Sequence, residues 1–396
     1  VGGMAGASFY LLISGASIPT QRAWIMVMIG FVAILADRNP MSLRLWATAA
    51  LVVLIVRPES LLGPSFQLSF AAVLALMAAY EAGASRLSRP REPEKRLPVP
   101  LAYALGVVVT TLIASTATAP FSAWHFQSFA TYSVLANLIA VPLTSAVVMP
   151  SGLIAMALMP LGLEAPALAV MTWGVGIVLG TARWVAGLPG AAVAVPQLPT
   201  ATLVLFAFGG LWLCLWRLPW RFLGLVPILA AIGLGLAARP IDVLVEPTFA
   251  MAAVRGGGGT LHVLTRDRDG FVLGGWQRAL GAAASAPFPA PLAGPSDGIA
   301  CDPAGCTVVR AGRTLTLATG IEAVLEDCGQ VDLVVAAVGP ERCAGEGRLI
   351  GPRALRASDG LALRLTRDGV SVDTVAARRG RWPWTWAGRI RPEATE

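Results

Sequence analysis

The stretch Phe222-Leu-Gly-Leu-Val-Pro-Ile-Leu-Ala-Ala-Ile-Gly-Leu-Gly-Leu-Ala-Ala-Arg-Pro-Ile-Asp-Val-Leu-Val245 decides the fold. Residues 222–238 form an uncharged apolar run, and at about 1.5 Å per residue a helix of that length crosses most of a bilayer. Arg239-Pro240 closes the run, and Asp242-Val-Leu-Val245 reads as a strand. Upstream of this join, apolar runs of about 15–20 residues recur. They predict spans near 1–14, 22–36, 42–56, 66–82, 99–118, 142–162, 166–187, 200–216 and 222–238.

Composition agrees. The 396 residues are 56% hydrophobic and 13% charged, with a mean hydropathy of +0.68. A soluble domain carries roughly 25% charged residues, so a single soluble enzyme is excluded, and so is intrinsic disorder. Residues 1–240 hold 13 basic and 6 acidic residues, whereas residues 241–396 hold 17 of each, so the whole net charge of +7 lies in the hydrophobic part. That is topology signalling, not a basic nucleic-acid-binding domain. The chain opens on Val1 inside an apolar stretch, with no signal-peptide pattern, and is expected to continue N-terminally.

Downstream of residue 240 the pattern is β-rich. Met251 to Arg255 and Thr260 to Thr265 flank Gly256–Gly259 as a hairpin, and Thr314–Ala318 and Leu333–Val338 are short strands. Ala362–Leu365 and Val370–Val375 flank Arg367-Asp-Gly369, a second hairpin, and residues 285–298 read as a long loop. The expected fold is thus a polytopic α-helical membrane domain (1–240), a small extracytoplasmic β-rich soluble domain (241–377) and a basic, Trp-rich tail (378–396).

Orientation follows from Arg86 to Arg96, which holds five basic and two acidic residues and belongs in the cytoplasm. Counting spans outward puts Asp37/Arg38 and Arg217/Arg221 there too. Residues 15–21, 57–65, 119–130 and 188–199, and everything after 238, fall outside. Residues 131–162 are too long for one straight span and contain Pro142 and Pro150. A single broken span with a half-helix near 131–141 keeps the basic loops inside, and a broken span points to a conduit.

Of five cysteines, Cys214 lies in a predicted span. Cys301, Cys306, Cys328 and Cys343 suit two local disulfides, 301–306 and 328–343, in a domain placed outside. Free thiols and a metal site are the rivals, although C-x4-C with C-x14-C is not a recognised zinc spacing. No carboxylate sits at a span centre, which argues against proton-coupled carriers and intramembrane metalloproteases. No nucleotide-binding motif is present, no cofactor is expected, and His262, alone in the soluble domain, reads as structural.

Polar residues cluster instead in the outside turns: Ser14 to Trp24, Gly63 to Phe70, Ala119 to Gln127 and Tyr132 to Asn137. Arg22, Gln67, Ser69, Trp124, His125 and Asn137 supply a cation, hydrogen-bonding groups and aromatic faces, a set that suits a polyanion with stackable bases. Each has a bland reading: Arg22 snorkels, Trp-His-Phe forms an aromatic belt, and Gln67 and Asn137 bond neighbouring helices.

Four stretches together resemble the ComEC family of competence proteins. They are Ser14-Gly-Ala-Ser-Ile-Pro-Thr-Gln-Arg-Ala23 with Asp37-Arg-Asn-Pro40; Arg57-Pro58 with Pro64-Ser-Phe-Gln-Leu-Ser-Phe70; Ala119-Pro-Phe121 with Trp124-His-Phe126; and Tyr132-Ser-Val-Leu-Ala-Asn137 with Pro142. The resemblance covers residues 1 to about 200. It implies a bacterial inner-membrane channel that passes single-stranded DNA into the cytoplasm. In such a channel the expectation from the residues themselves is Arg22 for phosphate contact, Trp124 for stacking, and the amides and Ser69 for helix-to-helix or backbone bonds. The resemblance also implies an OB-like domain ahead of Val1. An extracytoplasmic DNA receptor and a cytoplasmic motor or DNA-binding protein are the expected partners, with a homo-oligomer as a further expectation. Residues 241–275 look like the opening strands of a metallo-β-lactamase-like domain. The His-x-His-x-Asp-His metal motif is missing, so the domain reads as a metal-free relative and a nuclease is not expected. The alternatives are an envelope transporter for another anionic polymer or lipid-linked substrate, and a membrane-anchored nuclease.

Overall fold

The structure is a computed structural model that describes residues 1–39, 42–87, 98–256, 259–265, 270–282, 284–289 and 297–380. The chain divides into two compact units, Val1–Val193 with Leu198–Leu236, and Ala194–Gln197 with Ala237–Glu396.

The first unit is helical. Apolar helices α1 (Gly2–Ile13), α2 (Ile18–Leu35), α3 (Leu43–Val56), α4 (Pro64–Leu87) and α5 (Val99–Phe126) come first. Next, α6 (Ser133–Leu143) passes through a π-helical turn (Thr144–Val148) into α7 (Met149–Leu158), and the helical run ends at Leu161. Then follow α8 (Ala165–Ala186), α9 (Thr200–Leu215), a 3-10 turn (Pro219–Gly224) and α10 (Leu225–Ala237). Six of these helical runs are long and apolar enough to cross a membrane, and α1, α3 and α9 are shorter apolar helices. The short strands β1 (Ser128–Ala130) and β2 (Ala192–Ala194) pair.

The helices run further than the apolar runs predict. α5 continues through Pro120 to Phe126 and stops at Gln127 in the left-handed conformation (φ 49°). The outside turn read over 119–130 is therefore helical for its first half. Pro120 forfeits one intrahelical bond but does not end the helix. Likewise Pro64 and Pro19 stand in the first turns of α4 and α2, where a missing N–H costs nothing. Between Pro142 and Pro150 the backbone stays helical throughout, its winding relaxed by the π turn.

The second unit is layered. Strands β3 (Val243–Val245), β4 (Met251–Arg255), β5 (Thr260–Thr265) and β6 (Ala284–Pro287), with β12 (Leu361–Thr366) and β13 (Gly369–Thr374), form a sheet of order β13-β12-β3-β4-β5-β6. Strands β7 (Ile299–Cys301), β8 (Gly305–Arg310), β9 (Arg313–Ala318), β10 (Leu333–Ala336) and β11 (Leu349–Ile350) form the other, of order β11-β10-β9-β8-β7. Strand alternation sets the layers. Ala252, Val254, Leu363, Val308, Leu315 and Val335 fill one core contributed by both sheets. Met251, Ala253, Leu261 and Val263 turn the other way, toward Leu273 and Trp276 of α11 (Gly270–Leu280). Val334 and Ala336 turn toward Val324 of α12 (Ile321–Asp327). The order is helix, sheet, sheet, helix. The stretch 285–298 read as a loop begins with β6, which runs parallel to β5; residues 290–296 lie outside the described residues, as does the tail from 381.

Disulfides join Cys301 to Cys306 and Cys328 to Cys343. The first closes the β7–β8 hairpin, where the two cysteines stand opposite each other.

Candidate functional site

The short links between α2, α3 and α4 make neighbouring helices antiparallel. The N-termini of α2 and α4 therefore share one end of the bundle with the C-terminus of α3. The C-terminus of α5 lies there too, because His125 Nε2 donates to Gln67 Oε1 at 2.8 Å. So does the N-terminus of α6, where Tyr132 and Thr131 bond the carbonyls of Pro189 and Gly190 at 3.0 and 2.9 Å. Three helix N-termini, each equivalent to about half a positive charge, thus face the same side.

Of the sequence-predicted residues, the fold joins Gln67, Trp124 and His125. The Gln67 amide bridges two elements, donating to Leu61 O at 3.0 Å while accepting from His125. The Trp124 ring meets the His125 ring edge to face at 4.8 Å. Ser69 is two residues from Gln67, about 200° around α4, so it faces away from this group. Asn137 is half-buried in the second turn of α6, and no hydrogen bond ties it to the Gln67–His125 pair.

Arg22 lies in the second turn of α2 and is only 7% exposed. It shares a helix face with Ile25, Met26 and Ile29, which pack against Ala49, Val53, Phe66 and Phe70 of α3 and α4. Its Nε and Nη1 meet no hydrogen-bond partner among the described residues. A guanidinium remains charged under all physiological conditions, and burying one without an acceptor costs several kcal/mol. Its neighbours in the same turns are satisfied: Gln21 donates to Ala16 O at 2.7 Å, and Trp24 Nε1 to Ser8 Oγ at 3.0 Å. Burial of Arg22 was not legible in the sequence, which offered only its place near a span end.

In the second unit, among the described residues, no group of three or more His, Cys, Asp or Glu side chains stands close enough to hold a metal. His262 is buried in β5, with Nε2 3.0 Å from Asp297 Oδ2 and Nδ1 3.4 Å from Pro287 O. A Cβ at Gly256 would meet the His262 ring at 2.9 Å. These contacts knit strands β5 and β6 to the start of β7.

Two carboxylates here are tied to arginines of the fold. Asp332 is held below the ordinary carboxylate range, first by the Thr314 N–H (2.8 Å) and then by the Arg313 guanidinium (2.7 Å). Asp373 is lowered in the same way, chiefly by its hydrogen bond from Arg378. A carboxylate depressed in the folded state contributes stability above its unfolded value of about 3.9, and that contribution is lost as pH falls through the folded value. Thermal unfolding of the purified chain at pH 5 and pH 3 tests this. The midpoint of the β-rich unit falls on acidification, and Asp332→Asn shows the smaller fall because it has no carboxylate to protonate. An equal fall in both proteins would remove Asp332 from the account.

Residues 1–220 match the family described as Competence protein. No curated protein and no solved structure matches the chain.

Proposed function

The chain belongs to the competence protein family, and from that premise we propose that it carries single-stranded DNA across the cytoplasmic membrane, receiving the strand at the Arg22 end of its helical bundle. Membership gives a role in competence and DNA uptake, and the apolar helices give a multi-pass membrane protein. The observation that carries the finer reading is Arg22. Its buried Nε and Nη1 meet no acceptor among the described residues, and a phosphodiester supplies one. The N-termini of α2, α4 and α6 add positive potential at the same end. Trp124, braced against His125, offers a face on which a base stacks with little dependence on sequence. Gln67 and His125, bonded to each other, hold α4 to α5 around that face.

Topology supports the direction. The Arg217/Arg221 end of the bundle belongs inside by the basic-loop rule. The two disulfides of the second unit suit an oxidising compartment outside the cytoplasm. In this reading a separate receptor delivers the strand and a separate cytoplasmic motor or DNA-binding protein draws it in.

The test is a deletion strain complemented with the double variant Arg22→Ala/Trp124→Ala, given labelled DNA, with periplasmic and cytoplasmic label scored separately. Label reaches the periplasm normally, while cytoplasmic arrival falls by about tenfold or more at unchanged membrane abundance. A tenfold loss corresponds to about 1.4 kcal/mol, within reach of one lost phosphate contact plus one lost base stack. Normal cytoplasmic arrival in the double variant would sink the site.

A further inference from the structure

The opposite end of the first unit carries a different chemistry. A cavity of about 1050 Å³ opens there between the α2–α3 link, the end of α4 and the α9–α10 link, with Ser42, Glu81, Trp216, Arg217 and Arg221 among its walls. Arg217 holds Glu81 at 2.9 Å. Arg221 lies over the Phe222 ring at 5.1 Å and makes no ion pair among the described residues. Trp212, Trp216 and Trp220 cluster beside it, ring centroids 4.4–5.7 Å apart. Tryptophans of this kind mark the depth at which headgroups lie.

A second cavity, of about 890 Å³, continues from the first: Ala78, Ala79, Ala82, Cys214 and Arg221 line both. It follows α4 from Ala82 back to Phe66, about 24 Å at the helical rise, between α3, α5, α9 and α10. Its walls are mostly apolar, with Leu54, Phe70, Leu74, Leu112, Phe121 and Ile228 typical, and Gln67 and Thr116 add polar groups toward the far end and in the wall of α5. The Trp46 N–H is committed to Phe70 O at 3.0 Å. Beyond Arg221 at the mouth, no charged side chain lines the groove among the described residues.

This pairing selects an occupant. A nucleic-acid strand brings a phosphate with every nucleotide, each of which needs neutralising, and the groove supplies a cation at one end only. Water and inorganic ions are excluded by apolar walls. A molecule with one anionic phosphate and a long apolar tail matches both halves. The groove is longer than one leaflet of a hydrocarbon core about 30 Å thick, so a full acyl chain fits within it. Basic pockets between helices at headgroup depth have this preference.

We propose that the first unit holds one anionic phospholipid, its phosphate at Arg221 and Arg217 and one acyl chain lying along α4 in the apolar groove. The lipid fills the seam between α4 and the α9–α10 pair. The far end of the groove reaches Gln67 of the proposed strand-receiving group, so displacement by a strand is among the outcomes the experiment distinguishes.

The test is native mass spectrometry of the full chain, purified in mild detergent and exchanged against equimolar phosphatidylglycerol and phosphatidylcholine. The wild type keeps one phosphatidylglycerol in preference to phosphatidylcholine. In Arg221→Gln that preference falls about fivefold, the worth of one arginine at an anionic headgroup. Ala75→Phe, which fills the groove but leaves the arginines in place, lowers retention of both lipids. Glycerophosphate, a headgroup without a tail, fails to displace the bound lipid. Equal retention of the two lipids by the wild type, or an unchanged preference in Arg221→Gln, would overturn the proposal. So would displacement by oligothymidylate, which would assign the groove to a strand. If Ala75→Phe does not fold, the Arg221→Gln comparison decides alone.

Discussion

Replacing Asp242 by alanine costs the second unit about 3–5 kcal/mol, a large share of the roughly 5–15 kcal/mol that keeps a domain folded. Asp242 is 8% exposed. Its Oδ1 takes the Arg310 guanidinium at 3.0 Å, and its Oδ2 takes the Leu365 N–H at 2.8 Å. Arg310 also donates to the carbonyl of Arg255. One carboxylate thus ties β3, β4, β8 and β12, that is, both sheets, at the edge of their shared core. Alanine leaves a half-buried guanidinium short of its anion and a buried N–H without an acceptor, and each carries a desolvation penalty. Asp242→Asn keeps an oxygen for Leu365 and costs roughly half as much. Limited proteolysis of the full chain in detergent reads the effect. The D242A protein is cut within residues 241–380 at denaturant concentrations the wild type withstands, while the helical unit stays intact. Equal resistance would mean that the Asp242–Arg310 pair contributes little.

Substituting valine for Gly209 is expected to do comparable damage to the helical unit. A Cβ at Gly209 would lie 2.5 Å from Gly224 O and 2.7 Å from Ile228, and one at Gly224 would lie 2.6 Å from Gly209 O. The nearest obstructing atom in each case is a backbone carbonyl, which cannot swing aside as the Ile228 side chain could. Overpacking costs about 1–3 kcal/mol where neighbours can give, and this site lies at or above the upper end. Close helix approach through small residues is the main source of packing energy once lipid surrounds the bundle. Gly233, with nothing within 4 Å of a built Cβ, is the control. Gly209→Val lowers membrane abundance and the melting temperature in detergent, and Gly233→Val leaves both near wild type. Matching behaviour of the two would refute the close contact as a stability determinant.

Both glycines were invisible in the sequence, for the same reason that much of the site was. Apolar run length predicts helices well, because every backbone group in lipid must bond within its own segment; the nine runs read from 1–14 to 222–238 each fall within or overlap an apolar helix. Run length is blind to where a helix ends in polar sequence. Residues 119–127 read as an outside turn because Trp124 and His125 interrupt the hydropathy, whereas Gln67 and Ser69 already fall in the run 66–82. Residues 119–126 are wound into α5, and this brings His125 to Gln67 of α4. The alternating strands at 251–255 and 260–265 were legible because one face of each meets the inter-sheet core and the other meets α11. Helix α11 was not, since its apolar residues, among them Val272, Leu273 and Trp276, sit among glycines. The Arg217–Glu81 bond joins positions 136 residues apart, and no local pattern encodes such a distance.

The π turn at Thr144–Val148 alters how residues 133–161 should be counted. A π turn absorbs about one extra residue, so a helical wheel drawn from Ser133 onward falls out of phase by roughly 100° once it passes Val148. Asn137 and Ser151, fourteen positions apart, would lie within about 40° of each other on an unbroken α-helix. With the lag they stand on nearly opposite sides. Ser151 is 6% exposed and bonds back to Val147 O at 2.7 Å, while Val147 and Val148 close on the bare backbone of Gly174 in α8. The stripe that begins with Asn137 and the stripe that contains Ser151 therefore address different surroundings, and one continuous strip of sequence presents two independent faces.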